Sequence, residues 1–255
     1  MEPINFRKKY LDLFRFNEEL RVTIESALDK HPEPKSLQQG FLLYALAKSH
    51  KTQAAILLLS ENGFGQDAGI LARSIFELAV TALYIAQDET GKVVERFFDH
   101  DWIMRANMYN SVPKGMIEDR IKEEDPTGET KKEVFAEAEK IKKKYLSMKN
   151  FRWSEETLEE LSGKVGRQET YKTVYHLQCN LAHPNPRNIN DYFIGSGGIV
   201  EVNAGPSDEW IKPSLVATFA SFLDIVVTWD EEFNFYLKPK LDDLAKRYAE
   251  KIEKI

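Results

Sequence analysis

The sequence predicts an all-α protein: a single-domain helical bundle with a charged helical insertion and one small β-hairpin near residues 191–204. Three observations carry that expectation. Apolar residues recur at spacings of three, four and seven along most of the chain, which is the period of one helix face. Turns rich in proline and glycine break the periodic runs at helix-like lengths. Strand-like text is confined to one short stretch around a glycine-rich turn.

From Phe6 to Leu28, the residues Leu13, Phe14, Leu20, Ile24 and Leu28 recur among Arg, Glu and Lys, so the first segment is an amphipathic helix. It ends before His31-Pro32-Glu33-Pro34, where two prolines cannot continue a helix. Ser36 is placed to cap a second helix that runs to about Glu61. After the turn Asn62-Gly63-Phe64-Gly65, the stretch from Asp67 to Gln87 carries Ile70, Leu71, Ile75, Phe76, Leu78, Val80, Leu83 and Ile85 on more than one face. A helix apolar nearly all round is a central one.

Lys92 to about Asn110 continues in helical register with Val93, Val94, Phe97, Phe98, Trp102, Ile103 and Met104, until Pro113-Lys114-Gly115 interrupts it. Residues 114–149 form the charged insertion. Within it, Thr130 to Tyr145 reads as an exposed helix whose narrow apolar stripe is Val134, Phe135, Ala138, Ile141 and Tyr145. Its basic run, Lys140 and Lys142 to Lys144, is read as a solvated face. Ser154 with Glu155 and Glu156 opens a short helix, and Gln168 to Ala182 forms one more, ending before His183-Pro184-Asn185-Pro186. Tyr192 to Ile194 and Ile199 to Val202 flank Gly195-Ser196-Gly197-Gly198, which suits a hairpin or an ordered loop. Leu215 to Trp229 and Phe233 to Ile252 complete the set.

One domain over 1–255 is expected, with residues 1–30 as an N-terminal helix, 36–110 and 154–235 as core and 236–255 as a C-terminal helix. No repeat and no flexible linker divides it. The core is expected to use the second, third and fourth helices, the one before His183 and the one after Pro213.

Of the 255 residues, 42% are hydrophobic and 30% charged, enough for a core and a solvated exterior. The formal charge of −6 exerts no global pull toward nucleic acid or an anionic bilayer. The single cysteine, Cys179, rules out an internal disulfide framework and fits a reducing compartment. The start of the chain lacks the apolar core of a secretory signal, and the apolar runs around Ile56 to Leu59 and Leu78 to Ala86 are broken well short of the ~20 residues a bilayer span needs. A cytoplasmic protein is expected, with no membrane or DNA partner.

Arg73 and Glu77 stand four apart on the central apolar helix, and Thr81 and Tyr84 extend the same polar stripe. A buried charge without a partner costs roughly 3–5 kcal/mol, so the two are expected to pair with each other or with another helix. Tyr175-His176-Leu177-Gln178-Cys179-Asn180-Leu181-Ala182-His183-Pro184 is the second constellation. There His183 sits before a proline at a helix end, free to face a cleft or to cap the helix. The run at Gly195 lacks the Lys-Ser/Thr of a phosphate loop. Glu95, Asp99, His100 and Asp101 contain no E-x-x-H pair and suit an exposed acidic face. No metal and no cofactor is therefore expected, and the one-turn spacing of Cys179 and His183 gives little reason to read a thiol nucleophile.

Leu71-Ala72-Arg73-Ser74-Ile75-Phe76-Glu77, Tyr84, Trp153 before a short Leu-rich helix, Tyr171, Tyr175 and His183-Pro184 together resemble a widespread bacterial family known only as a domain of unknown function, over about residues 36–235. The resemblance implies an all-helical fold in which the Arg-x-x-x-Glu helix and the His-Pro corner approach each other. Asn180-Leu181-Ala182-His183 is also similar to the helix end of HEPN domains, dimeric helical bundles many of which are metal-independent ribonucleases of toxin and anti-phage systems. In those enzymes an Arg stands four to six residues before the His. Here Gln178 and Cys179 hold the positions five and four before His183, so the motif's Arg is missing.

Two functional classes stay open. One is an interaction or regulatory module, compatible with a homodimer, whose polar cluster of Arg73, Glu77, Tyr84, Tyr175 and His183 holds the core beside a binding groove. The other is a HEPN-like ribonuclease acting on RNA, with His183 exchanging the proton and Arg73 or Arg187 supplying the cation. Asn180 would then belong to its binding residues.

Overall fold

Two long apolar helices set the architecture, because neither can satisfy its surface at the exterior. The computed structural model describes residues 5–252 apart from 31, 113–114, 116–118, 121–122, 147–151, 184–185, 187–188 and 197–198. Its helices are α1 (Phe6–Lys9), α2 (Leu11–Leu28), α3 (Leu37–Glu61), α4 (Gly65–Ala86), α5 (Lys92–Ser111), α6 (Glu129–Lys144) and α7 (Leu158–Lys164). Next comes α8, a continuous run of Gln168–Thr170, a π-turn at Tyr171–Tyr175 and His176–Ala182. After α9 (Ile189–Tyr192), strands β1 (Phe193–Ser196) and β2 (Ile199–Val202) pair antiparallel, with Phe193 opposite Val202 and Ser196 opposite Ile199. Finally come α10 (Ile211–Phe233) and α11 (Lys238–Ile252). The fold is all-α.

The chain divides into two compact units, Met1–Gln87 with Leu158–Ile255, and Asp88–Thr157. In the first, α10 packs on both α3 and α4, which also pack on each other. The side chains of Leu215, Phe219, Phe222, Ile225, Val226 and Trp229 on α10 are all but fully buried. Each contributes roughly 1.5–3 kcal/mol relative to exposure. α2 joins this core through Phe14, Leu20 and Ile24, α8 and α7 lie on α4, and α11 crosses α10 and α2.

Asn17 and Gln53, both fully buried, are tied into the fold by hydrogen bonds, as burial demands. Asn17 Nδ2 donates to the carbonyls of Leu13 and Leu215 at 2.9 and 3.2 Å, and Gln53 Nε2 donates to Asn17 Oδ1 at 2.9 Å. As the sequence suggests, the Ser36 hydroxyl caps α3 by accepting from Gln39 N at 3.1 Å. At the entry to α4, Gly65 is pressed so closely against the backbone of Glu209, Trp210 and Ile211 that no Cβ fits there.

In the second unit, Val134, Ala138 and Ile141 of α6 bury themselves against Ile103 and Ala106 of α5. This differs from the expectation that α5 belongs with the central helices. The stripe on α6 needs an apolar partner, and α5 supplies it. Three lysines of α6 are held by acids: Lys140 by Glu137, Lys142 by Glu139 at 2.7 Å, and Lys144 by Glu95 and Asp99, both at 2.7 Å.

Two further expectations are corrected. The helix expected from Ser154 starts at Leu158, because the Ser154 hydroxyl accepts from Glu156 N at 3.1 Å and closes a local turn instead. The apolar run at Leu78–Ala86 also belongs to a longer one than expected: α4 and α10, at 22 and 23 residues, are long and apolar enough to cross a bilayer by length and composition. In this fold both lie centrally, with 50% and 61% of their most apolar windows buried.

Candidate functional site

The candidate site grows from the pairing of α4 with α8. Gly69 lets the two helices and α10 approach, since a Cβ there would stand 2.8 Å from Leu181 Cδ1 and 3.1 Å from the Ser214 hydroxyl. One turn further along α4, Arg73 Nε donates to Glu77 Oε1 at 2.9 Å, the spacing-of-four pair expected on a helix. From α8, the Tyr175 hydroxyl donates to the same carboxylate oxygen at 2.8 Å. The Arg73 guanidinium also lies 5.0 Å from the centroid of the Tyr175 ring, within cation–π range.

The π-turn of α8 gives this corner its aromatic floor. Its wider turn carries Tyr171 and Tyr175, whose rings stack at 5.0 Å and 20°. Phe76 of α4 packs 5.4 Å from the Tyr175 ring. Tyr175 is buried, while the side chains of Arg73 and Glu77 keep 23% and 43% of their exposure.

The electrostatics follow from that packing. Burial first, and then the hydrogen bond to Glu77, push the Tyr175 phenol well above its ordinary value, so it stays protonated and donates. Burial lowers the Arg73 pKa, but Tyr175, Cys179 and Glu77 outweigh it, so the guanidinium remains charged.

The other site residues are placed elsewhere. His183 ends α8 in extended conformation (φ −125°, ψ 148°) with its side chain exposed. Among the described residues, no hydrogen bond, ion pair or ring contact joins it to Arg73, Glu77 or Tyr175. Tyr84 is half-buried two turns beyond Glu77, with Lys164 Nζ 5.7 Å from its ring centroid. Asn180 is half-buried on α8, and Arg187 lies outside the described residues. Gln178 faces the interior at 1% exposure, and among the described residues neither polar atom of its side-chain amide has a hydrogen-bond partner.

Beside the start of α4 lies a hollow of about 200 Å³ lined by Asp67, Asp191 and Glu209. Burial, and then Asp191 and Asp208, raise the Glu209 carboxyl above its ordinary value. Among the described residues, no three His, Cys, Asp or Glu side chains converge as a metal ion needs. Of the residues considered for one, Glu95 and Asp99 hold Lys144, and Asp101 holds Arg105 at 2.6 Å.

Tyr171 and Phe76 complete the cluster without having been singled out as site residues. The one-turn spacing of Tyr171 and Tyr175 is the sequence signal for that stack. Neither a curated protein nor a solved structure matches the chain. A family model described as "Family of unknown function (DUF5677)" matches residues 39–199, a span that includes both α4 and α8. That span is more than half of the chain, and the chain belongs to this family.

Proposed function

We propose that the protein is a non-catalytic helical interaction or regulatory module in which Arg73, Glu77 and Tyr175 lock α8 onto α4. The observation that carries this reading is that the three polar groups are bonded to one another. A catalytic cation or base needs its charge directed at a substrate. The position where a HEPN ribonuclease carries its Arg is occupied by Gln178, which is buried, so a cation there would point into the core. The acidic hollow beside α4 is also unfavourable to a phosphate backbone. The partner we name is a second copy of the chain, favoured by the exposed Ile70 and Leu177 of α4 and α8. Sedimentation at twice the chain mass is the expected result.

A second reading, the HEPN-like metal-independent ribonuclease, draws on one observation: His183 stands exposed at the end of α8, open to a substrate. RNA cleavage by the purified protein without added metal separates the two. Neither the wild type nor a folded His183→Ala variant is expected to cut mixed structured and single-stranded RNA. Cleavage by the wild type that disappears in the folded variant overturns the binding-module reading.

A further inference from the structure

A second concavity, of about 290 Å³, lies between α4, the start of α8, α10 and α11, with Phe76, Arg167, Phe219, Ser221, Asp224 and Tyr248 on its walls. Its volume is at the lower end for small-molecule sites, large enough for a base or nucleoside and small for an extended polymer. One wall is aromatic: the Phe219 and Tyr248 rings stack at 3.8 Å and 21°. A planar ring system can continue such a stack.

The polar side is a single ion pair. Arg167 Nε donates to Asp224 Oδ2 and Nη2 to Oδ1, each at 2.6 Å, while Nη1 reaches the Gly166 carbonyl at 3.2 Å. A guanidinium has five N–H donors. Among the described residues three are engaged, which leaves one on each terminal nitrogen. Both side chains remain partly open, at 37% and 20% exposure.

The ion pair has no net charge, so a ligand anion gains from Arg167 what it loses to Asp224, and a ligand amine meets the reverse. The complement of two adjacent free donors is an uncharged ligand with two adjacent acceptors on a flat ring. Guanine offers that edge in O6 and N7, whereas adenine places an N–H₂ donor where O6 would be. From the fork, the aromatic wall and the volume, we infer that this pocket binds a guanine nucleoside.

The site lies outside the Arg73–Glu77–Tyr175 cluster and reaches it through Phe76, which lines the pocket and packs on Tyr175. The inference does not depend on the outcome of the RNA assay. Isothermal titration calorimetry of the full chain with guanosine, adenosine and cytidine tests it. Guanosine is expected to bind at least about tenfold tighter than adenosine. Arg167→Lys keeps a cation for Asp224 but loses the fork, and is expected to remove that preference. Ala220→Trp, at an exposed position on the rim, keeps both residues of the ion pair, fills the pocket and is expected to abolish binding while leaving the circular dichroism spectrum unchanged. The Trp variant carries the test if the Lys variant does not fold. Failure of guanosine to bind the wild type, equal binding of guanosine and adenosine, or undiminished binding to folded Ala220→Trp overturns the inference.

Discussion

At the scale of single residues, Glu77 is the junction of the α4–α8 corner, because one carboxylate oxygen accepts from both Arg73 and Tyr175. Its partial exposure weakens each bond relative to a fully buried one. Tyr175→Phe is expected to cost about 1 kcal/mol in urea unfolding. In a double-mutant cycle with Glu77→Ala the two losses should fall short of additive, since both remove the same bond. Additive losses would mean that the hydroxyl and the carboxylate act independently. His50 provides a pH signature. Burial first, and then Arg21, hold its imidazole below the usual 6.5, while Glu25 pulls the other way. As pH falls through 6.5 the unfolded chain takes up the proton before the folded one, so this contribution to stability is complete above that value and lost below it. The urea midpoint is expected to drop between about pH 7 and about pH 5, less steeply in His50→Leu. His100, also held low by burial, supplies a slope of the same sign that the variant leaves in place.

At the scale of elements, the contact between the starts of α4 and α10 is the tightest test of the packing. A Cβ on Gly65 meets backbone atoms of Glu209, Trp210 and Ile211, which cannot rotate away as a side chain would. The Ser214 hydroxyl also donates to the Gly65 carbonyl at 2.9 Å, fixing the approach. Gly65→Ala is therefore expected to destabilise by about 1–3 kcal/mol despite alanine's better helix propensity. An unchanged melting temperature would show that the two helix starts separate easily. The same elements show what the sequence makes legible. α3, α4 and α10 are readable because their apolar residues lie on several faces and Ser36 marks an N-cap, features set within one segment. The Arg73–Glu77 pair is readable for the same reason, being a local spacing of four. The partner of α5 is not, since its apolar residues suit a central core or a neighbouring α6 equally well, and the choice rests on contacts distant in sequence. The π-turn that widens α8 at Tyr171–Tyr175 and the meeting of Arg167 with Asp224 are likewise invisible to local period. His183 shows the converse: a motif-like setting draws attention to a residue that the fold leaves apart from the cluster.

At the scale of the whole molecule, the two units differ in how much apolar surface they bury. The unit of Asp88–Thr157 relies on a small core around Ile103, Ala106, Val134, Ala138 and Ile141, whereas the other encloses Trp229 and several phenylalanines completely. Stability follows burial, so amides of α5 and α6 are expected to exchange hydrogen faster than those of α3, α4 and α10. Uniform protection across both units would contradict this. The match to the family model ends at residue 199, yet α10, beginning at Ile211, packs against both α3 and α4. A fragment of residues 39–199 lacks that helix and exposes the faces of α3 and α4 that it covers. Removing even one large core side chain costs roughly 2–5 kcal/mol, and native proteins hold only about 5–15 kcal/mol in total. The fragment is therefore expected to keep some helical circular dichroism but to show no cooperative urea transition, whereas residues 5–252 unfold cooperatively. A sharp transition in the fragment would mean that the family span is a self-sufficient fold and that α10 is an addition to it.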